Sequence, residues 1–265
     1  MHPIFKLGIL QFPAYGSIIF IGLVIGTLIA TLTAKKYKID KLDVVLSTIL
    51  ATIGLLIGAK LVYFITVIPD LATVYRLSGH NIFYVIIYAF GGYVFYGGLI
   101  GALCGYLFYA KWFKIDFGSL INIITPVIPL VHAFGRVGCF MGGCCYGILY
   151  HGPFSVHFPY NEFVEELGPA DRFPVQLLES SLNFLLFLLL FIYARKVRKS
   201  GQVLGVYLIG YAIIRFSLEF LRGDLNRGVW LFGISTSQII SLLLIPLGVY
   251  MIVRKVKSNE HIAAE

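Results

Sequence analysis

The chain has 265 residues, of which 58% are hydrophobic and 13% charged, with a mean hydropathy of +0.87 and a formal net charge of +8. A soluble domain carries roughly 25% charged residues, so this composition excludes an ordinary water-soluble fold and points to an all-α membrane protein. The surplus of Lys and Arg needs no nucleic acid to explain it. It clusters at the ends of apolar runs, where it reports membrane topology and attraction to anionic headgroups.

In chain order, apolar stretches near the length that crosses a ~30 Å hydrocarbon core lie at about 14–34, 44–67, 84–110, 117–140, 177–194, 203–222 and 233–253. They predict seven transmembrane helices in a single polytopic domain. The third run is long and glycine-rich, which leaves room for a short re-entrant or kinked piece before the helix proper. The first run is long enough to span and lacks a basic leader with a small-residue cleavage site, so it reads as a membrane span and not as a cleavable signal peptide. No internal repeat is visible.

Basic residues set the expected orientation. Lys35, Lys36, Lys38 and Lys41 follow the first span, and Lys111 and Lys114 follow the third. Arg195, Lys196, Arg198 and Lys199 follow the fifth, and Arg254, Lys255 and Lys257 follow the seventh. Together they are 13 of the 21 Lys and Arg. With seven spans all fall on one side, which the positive-inside rule makes cytoplasmic. The N-terminus is then outside and the C-terminus inside.

The longer polar connections then face outward. Residues 69–81 contain Arg76, His80 and Asn81. Residues 146–174 are rich in Gly, Pro, aromatic and acidic residues and exceed a usual connection. They predict a small external head of strands and turns between the fourth and fifth helices. Residues 222–232 hold Asp224, Asn226 and Arg227.

Ionisable groups at membrane depth are functional-site candidates by default, because something must solvate or pair them. The densest group is His132-Ala-Phe-Gly-Arg-Val-Gly-Cys-Phe-Met-Gly-Gly-Cys-Cys-Tyr-Gly147. Arg136 follows His132 by four residues, on one face of the fourth helix. A guanidinium there, beside glycines and near the outer leaflet, can hold a phosphate bidentately in a low-dielectric site.

The sixth helix carries Arg215, Glu219 and Arg222 along one stripe. Glu219 can neutralise and orient the arginines. With Arg136 the site would hold three guanidinium groups against one glutamate, an excess suited to an anionic lipid headgroup. Lys60, inside the second helix, either snorkels to the interface or adds to that positive pocket. Gln176 and Glu179 open the fifth helix after Pro174, where negative charge is favoured at a helix N-terminus; this reads as structural. The small residues of Tyr96-Gly-Gly-Leu-Ile-Gly101 permit close helix packing or a cavity for a lipid chain. Tyr15, near the outer interface, fits an aromatic belt.

Cys104, in the third helix, reads as an apolar filler. Cys139, Cys144 and Cys145 crowd the outer end of the fourth. With no matching His/Cys set elsewhere, no zinc site is expected, and no cofactor. A disulfide within the group fits the oxidising side of a membrane and would leave one thiol over. A nearby Arg136 would favour a thiolate. The three residues also suit a tightly packed glycine-rich turn as small side chains.

On these residues the chain resembles the prolipoprotein diacylglyceryl transferases of bacterial inner membranes. The resemblance covers nearly the whole chain. It includes Tyr15-Gly16, Gly58-Ala-Lys-Leu-Val-Tyr63, Gly97-Gly98-Leu-Ile-Gly101, Gly135-Arg-Val-Gly-Cys-Phe140 with Gly147, Pro174-Val-Gln-Leu-Leu-Glu179 and Arg215-Phe-Ser-Leu-Glu-Phe-Leu-Arg-Gly-Asp224. The Gly-Arg-x-Gly-x-Phe and Arg-x-x-x-Glu-x-x-Arg elements carry most of it.

The resemblance implies transfer of the diacylglyceryl group of phosphatidylglycerol to the lipobox cysteine of a preprolipoprotein signal peptide, with glycerol phosphate leaving. It assigns Arg136 and Arg215 to the lipid phosphate, Glu219 to orienting them and Arg222 to the mouth. Tyr15, Gly97, Gly98, Lys60, Cys139 and Gly147 would contribute to phosphatidylglycerol binding. Three positions depart from the family's usual pattern: Tyr96 stands where it has His, Cys139 where it has Asn, and Cys144 where it has an acidic residue. His132, on the Arg136 face, is the candidate to take over proton transfer, and Tyr96 stays among the catalytic candidates. Two other readings stay open: a paralogue that uses Cys139, Cys144 or Cys145 chemically, and a lipid-binding or transport protein without catalysis.

Overall fold

The computed structural model describes residues 4–7, 10–159, 169–196, 201–223 and 233–254. The predicted candidates Asp224, Asn226 and Arg227 lie outside the described residues. In chain order the elements are strands β1 (Ile4–Leu7) and β2 (Leu10–Pro13), then helices α1 (Ala14–Ala34), α2 (Lys41–Val67), α3 (Leu71–Leu77), α4 (Ile82–Phe90), α5 (Phe95–Trp112), α6 (Phe117–Ile124) and α7 (Val127–Gly142). They continue with strands β3 (Val156–Phe158) and β4 (Ala170–Arg172) and helices α8 (Val175–Ala194), α9 (Gln202–Leu218) and α10 (Thr236–Val253). Among the described residues six helical segments are long and apolar enough to cross a membrane. The pair α4 and α5, bent by 66° at the break between them, makes a seventh when taken as one span. The all-α membrane fold and its spans thus match the apolar runs, and the kink expected in the third run falls at Gly91–Val94.

One expected loop is helical. Residues 69–81 read as a polar connection, but α2 continues through a 3-10 turn at Ile68–Asp70 into α3. Pro69 sits in the first turn of that 3-10 segment, where its missing N–H removes no helical hydrogen bond. Arg76 belongs to α3 and donates from Nε to the Ala72 carbonyl (3.4 Å).

The chain forms two compact units, Ala34–Leu120 and the remainder, Met1–Thr33 with Ile121–Glu265. In the first, α2 lies against α5 through small residues. A Cβ on Gly54, Gly58, Gly97 or Gly101 would strike the opposing backbone, and one on Gly105 would meet Ala51. That is the close approach which small residues allow between membrane helices. An apolar groove of about 470 Å³ beside this contact is lined by Leu50, Ile57, Leu61, Ile100, Cys104 and Phe108, among others. Cys104 is therefore a wall residue. Tyr109 Oη donates to Asp43 (2.8 Å) and Tyr106 Oη to Thr48 (3.2 Å), tying the other end of the pair.

Lys60 neither snorkels away nor stands alone. Its ammonium donates to the carbonyl of Phe90, the last residue of α4, and sits 3.9 Å from the centroid of the Tyr93 ring. A cation at a helix C-terminus is favoured by the orphan carbonyls there. The Val94 amide also bonds the Ala59 carbonyl (3.2 Å), so both sides of the α4–α5 break are held to α2.

In the second unit α7 packs on α8, α8 on α9, and α9 on α10. Leu186, Leu190, Ala194 and Val203 form a core cluster of the α8–α9 contact, flanked by Tyr207 and Tyr211. The α9–α10 contact closes where Gly205 faces Gly248. A full capping box of Ser235 and Gln238 starts α10. The N-terminal β1–β2 hairpin precedes α1, and the segment from Tyr146 to Pro174 carries the short antiparallel pair β3–β4.

Candidate functional site

Four helices of the second unit bring the charged residues together. From α7, Arg136 places Nη2 3.0 Å from Glu179 Oε1 of α8. Its Nε donates to His132 Nε2 (3.2 Å), one turn earlier on the same face. A guanidinium is always a donor, so the imidazole accepts there and its Nε2 lone pair is occupied. The 3.5 Å separation between that nitrogen and Glu179 Oε1 is then a close approach without a proton between them. The His132 ring also lies 5.6 Å from that of Tyr211 on α9.

Glu179 is the residue that the sequence under-read. Its spacing after Pro174 suggested a helix cap, but α8 starts at Val175 without any side-chain cap. Instead Gln176, Glu179 and Asn183 form a polar stripe on α8 and are 0–2% exposed. Gln176 Nε2 donates to the Cys144 carbonyl (2.8 Å), and Asn183 Nδ2 to the Glu179 carbonyl (2.8 Å). Ser180, beside Glu179 on α8, donates to the Ala133 carbonyl (2.9 Å), fixing α8 against α7. The signal was the run of polar residues at helical spacing in an otherwise apolar span; its partner on another helix could not be read from local pattern.

On α9, Arg215 pairs with Glu219 (Nη2–Oε2 2.8 Å), as the i, i+4 spacing predicted, and the same nitrogen donates to Ser237 Oγ of α10 (2.7 Å). Arg215 Nη1 is buried and has no hydrogen-bond partner among the described residues. The stripe expected for Arg215, Glu219 and Arg222 is broken, however. The helix ends at Leu218, Glu219–Leu221 form a 3-10 turn, and Arg222 is extended. Arg222 instead makes a β-bridge with Gly147. The positive excess is also smaller than the sequence implied, because Arg136, Arg215 and Arg222 meet two buried carboxylates, not one.

Gly147 is the seam of this region. The strand-like segment at Tyr146–Tyr150 runs between two others. Ile148 N bonds Leu221 O (3.0 Å) and Gly223 N bonds Tyr146 O (3.1 Å) on one side; Phe173 N bonds Ile148 O (3.1 Å) and Tyr150 N bonds Asp171 O (3.0 Å) on the other. A Cβ on Gly147 would collide with the carbonyls of Phe173 and Leu221, so only glycine fits. Arg172 covers the Tyr146 ring at 4.5 Å and reaches the Gly147 carbonyl (3.4 Å). Beyond it, His157 and Asp171 of the β3–β4 pair meet at 2.8 Å, which holds the exposed Asp171 carboxyl below its ordinary range.

The three cysteines adjoin Arg136. Arg136 Nη1 is 3.9 Å from Cys139 Sγ, and the Sγ atoms of Cys139, Cys144 and Cys145 all lie within 4.8 Å of one another. Cys139 and Cys144 draw the Cys145 thiol downward through hydrogen bonds, helped by Arg136 and Arg222. Hydrogen bonds with Cys139 and Cys145 push Cys144 upward. Tyr15, at the first turn of α1, packs its Cα 3.1 Å from where a Gly138 Cβ would stand, so α1 crosses α7 beside this group.

Of the sequence candidates, Arg136, His132, Cys139, Arg215, Glu219, Arg222, Gly147 and Tyr15 thus belong to one unit. Lys60, Tyr96, Gly97 and Gly98 belong to the other, where Tyr96 opens α5 and stacks edge-on with Phe95 at 5.7 Å.

A family model described as prolipoprotein diacylglyceryl transferase matches residues 2–254. A phosphatidylglycerol–prolipoprotein diacylglyceryl transferase of Clostridium tetani is 32% identical over 257 residues, 95% of this chain and 96% of the relative. The protein named phosphatidylglycerol–prolipoprotein diacylglyceryl transferase 2 of Clostridium perfringens is 32% identical over 91% of this chain and 90% of its own length. One of Rickettsia felis is 29% identical over 94% of both chains. The chain belongs to the prolipoprotein diacylglyceryl transferase family. Within that family's pattern, two of the three departures noted above, Cys139 and Cys144, fall together beside Arg136.

Proposed function

We propose that this protein, as a multi-pass transferase of a bacterial inner membrane, moves the diacylglyceryl group of phosphatidylglycerol to the lipobox cysteine of a preprolipoprotein signal peptide and releases glycerol phosphate. The observation that carries this reading is a pair of arginines in apolar, membrane-spanning helices, each held by its own buried carboxylate. Arg215 keeps a buried Nη1 with no partner among the described residues. A guanidinium fixed on one edge and open on another is a seat for a phosphate. The relatives' names support the substrates, and the buried arginine–carboxylate pairs support an anion seat.

In this reading Arg136 and Arg215 bind the phosphate of the lipid and stabilise charge as glycerol phosphate departs. Glu179 and Glu219 orient the two guanidinium groups. Ser237 sets the Arg215 rotamer, and Arg222 stands at the mouth beside Gly147. His132 positions Arg136 by accepting its Nε hydrogen, a role that replaces the proton-transfer role first assigned to it. Tyr15 lines the site beside α7. Lys60 serves the α4–α5 break, and Gly97 and Gly98 serve the α2–α5 contact. With seven spans and the basic clusters inside, the site opens to the outer leaflet, where an exported signal peptide arrives.

The test uses purified protein in phosphatidylglycerol vesicles with a lipobox peptide. Glycerol phosphate release and a diacylglyceryl mass shift on the peptide cysteine are expected, and both should vanish in Arg136→Ala and Arg215→Ala. Transfer that persists in both variants, or its absence from the parent protein, would overturn the reading.

A further inference from the structure

Cys139, Cys144 and Cys145 have no part in the chemistry above, yet the chain is bent to bring them together. Helix α7 is capped by Gly143, which is left-handed (φ 73°), and Cys145 is left-handed too (φ 57°). A non-glycine residue there is uncommon and its strain needs support from its surroundings. The double reversal returns Cys144 and Cys145 onto Cys139. The Cys144 amide bonds the Cys139 carbonyl (3.2 Å), and Gln176 of α8 clamps the Cys144 carbonyl from the other side. None of the three is in a disulfide.

Zinc–thiolate bonds of about 2.3 Å in tetrahedral geometry set sulfurs roughly 3.8 Å apart. Sulfurs already within 4.8 Å reach that by side-chain rotation alone. A structural zinc site takes four protein ligands; among the described residues no fourth joins the three, and with no matching His/Cys set elsewhere in the sequence none was expected. Three protein ligands with an open fourth position is the count of a catalytic zinc. The charge fits as well. Zinc with three thiolates carries one net negative charge, and the Arg136 guanidinium stands 3.9 Å from Cys139 Sγ.

We propose that Cys139, Cys144 and Cys145 bind zinc through three thiolates, and that the fourth position takes the acceptor thiol of the lipobox peptide. The proposal rests on the transferase reading. That reaction needs a thiolate, and this chain has Tyr96 where its family usually has a histidine. A thiol that coordinates zinc is deprotonated outright. The peptide sulfur then forms its bond to the diacylglyceryl carbon as the bond from that carbon to the phosphate oxygen breaks. The thiol's proton ends on the departing glycerol phosphate, and no electrons are exchanged. The product is a neutral thioether, a weak zinc ligand, so it leaves and reopens the fourth position.

The protein purified without chelator is expected to hold one zinc per chain. Exchanged for cobalt(II), it should show thiolate-to-metal charge-transfer and the visible bands of a tetrahedral site. These should shift on adding a lipobox peptide and stay unchanged with a peptide carrying Ser for the lipobox Cys. The triple variant C139S/C144S/C145S, checked for retained helical circular dichroism, should lose them. Stripping the metal should lower transfer at least tenfold, and zinc should restore it. A cobalt spectrum without sulfur character, no stoichiometric metal, or a disulfide among the three found by alkylation before reduction would overturn the site. Full transfer from metal-free protein would also overturn it while leaving the transferase reading intact. A cobalt spectrum that answers the peptide thiol in a protein unable to transfer would keep the site and sink that reading.

Discussion

Glu179 and His132 divide the work of holding Arg136, and substitutions should separate them. Glu179 is 2% exposed and places Oε1 3.0 Å from the guanidinium. Removing one partner of a buried pair leaves an uncompensated charge and costs about 3–5 kcal/mol. Glu179→Gln keeps the shape and deletes the charge, so transfer should fall on the order of a hundredfold, the kinetic equivalent of about 3 kcal/mol. Initial rates in phosphatidylglycerol vesicles measure this. His132 accepts a hydrogen bond from Arg136, and a glutamine carbonyl can accept one too. His132→Gln should therefore retain transfer to within a few-fold, with an unchanged pH profile. Loss of the acidic limb of that profile in His132→Gln, the limb a general base produces, would return proton transfer to His132.

At the scale of elements, two features outside the ion pairs decide whether the site holds its shape. Gly147 is wedged between the carbonyls of Phe173 and Leu221, so Gly147→Ala must push apart the segments that position Arg222. Overpacking of this kind costs about 1–3 kcal/mol. The variant should melt earlier in detergent and be cleaved faster within 148–174. Gly142→Ala is the control, since a Cβ there meets nothing within 4 Å. In the other unit Lys60 bonds the Phe90 carbonyl at the α4–α5 break. A hydrogen bond from a charged donor contributes about 1.5–3 kcal/mol. Lys60→Met should therefore raise hydrogen exchange of the amides at 91–94 by at least roughly tenfold, with α2 itself unchanged.

These elements also mark what local pattern could and could not reveal. Apolar runs located the spans found among the described residues, and the length and glycine content of the third run announced the break. The i, i+4 spacings of His132 with Arg136 and of Arg215 with Glu219 were legible because both partners share one helix. The Arg136–Glu179 pair joins residues on different helices, and the Gly147–Arg222 bridge joins segments far apart in the chain. Neither leaves a periodic trace. Residues 69–81 were misjudged because their polar side chains mimic a loop although the helix simply continues as α3.

For the whole molecule, the helices of the larger unit bear on which way it faces. Helix α8 starts at Val175 and ends beside Arg195 and Lys196, while Glu179 lies in its first turns. Helix α9 runs the opposite way along the chain, with Gln202 first and Arg215 in its last turn. Helix α10 starts at Thr236, and Ser237 in its first turn meets Arg215, while Arg254 closes its far end. The phosphate seat therefore occupies one end of these helices and the basic residues the other. The proposed orientation, with the lysines and arginines cytoplasmic, puts the proposed seat at the outer leaflet, where the acceptor peptide emerges. A fluorescent protein fused after the last residue should fluoresce and a periplasmic phosphatase at the same point should stay inactive. The same phosphatase fused within 155–159 should be active. Reversed results would place the seat on the cytoplasmic side, away from an exported signal peptide, and would leave the 13 clustered basic residues on the side where the positive-inside rule disfavours them.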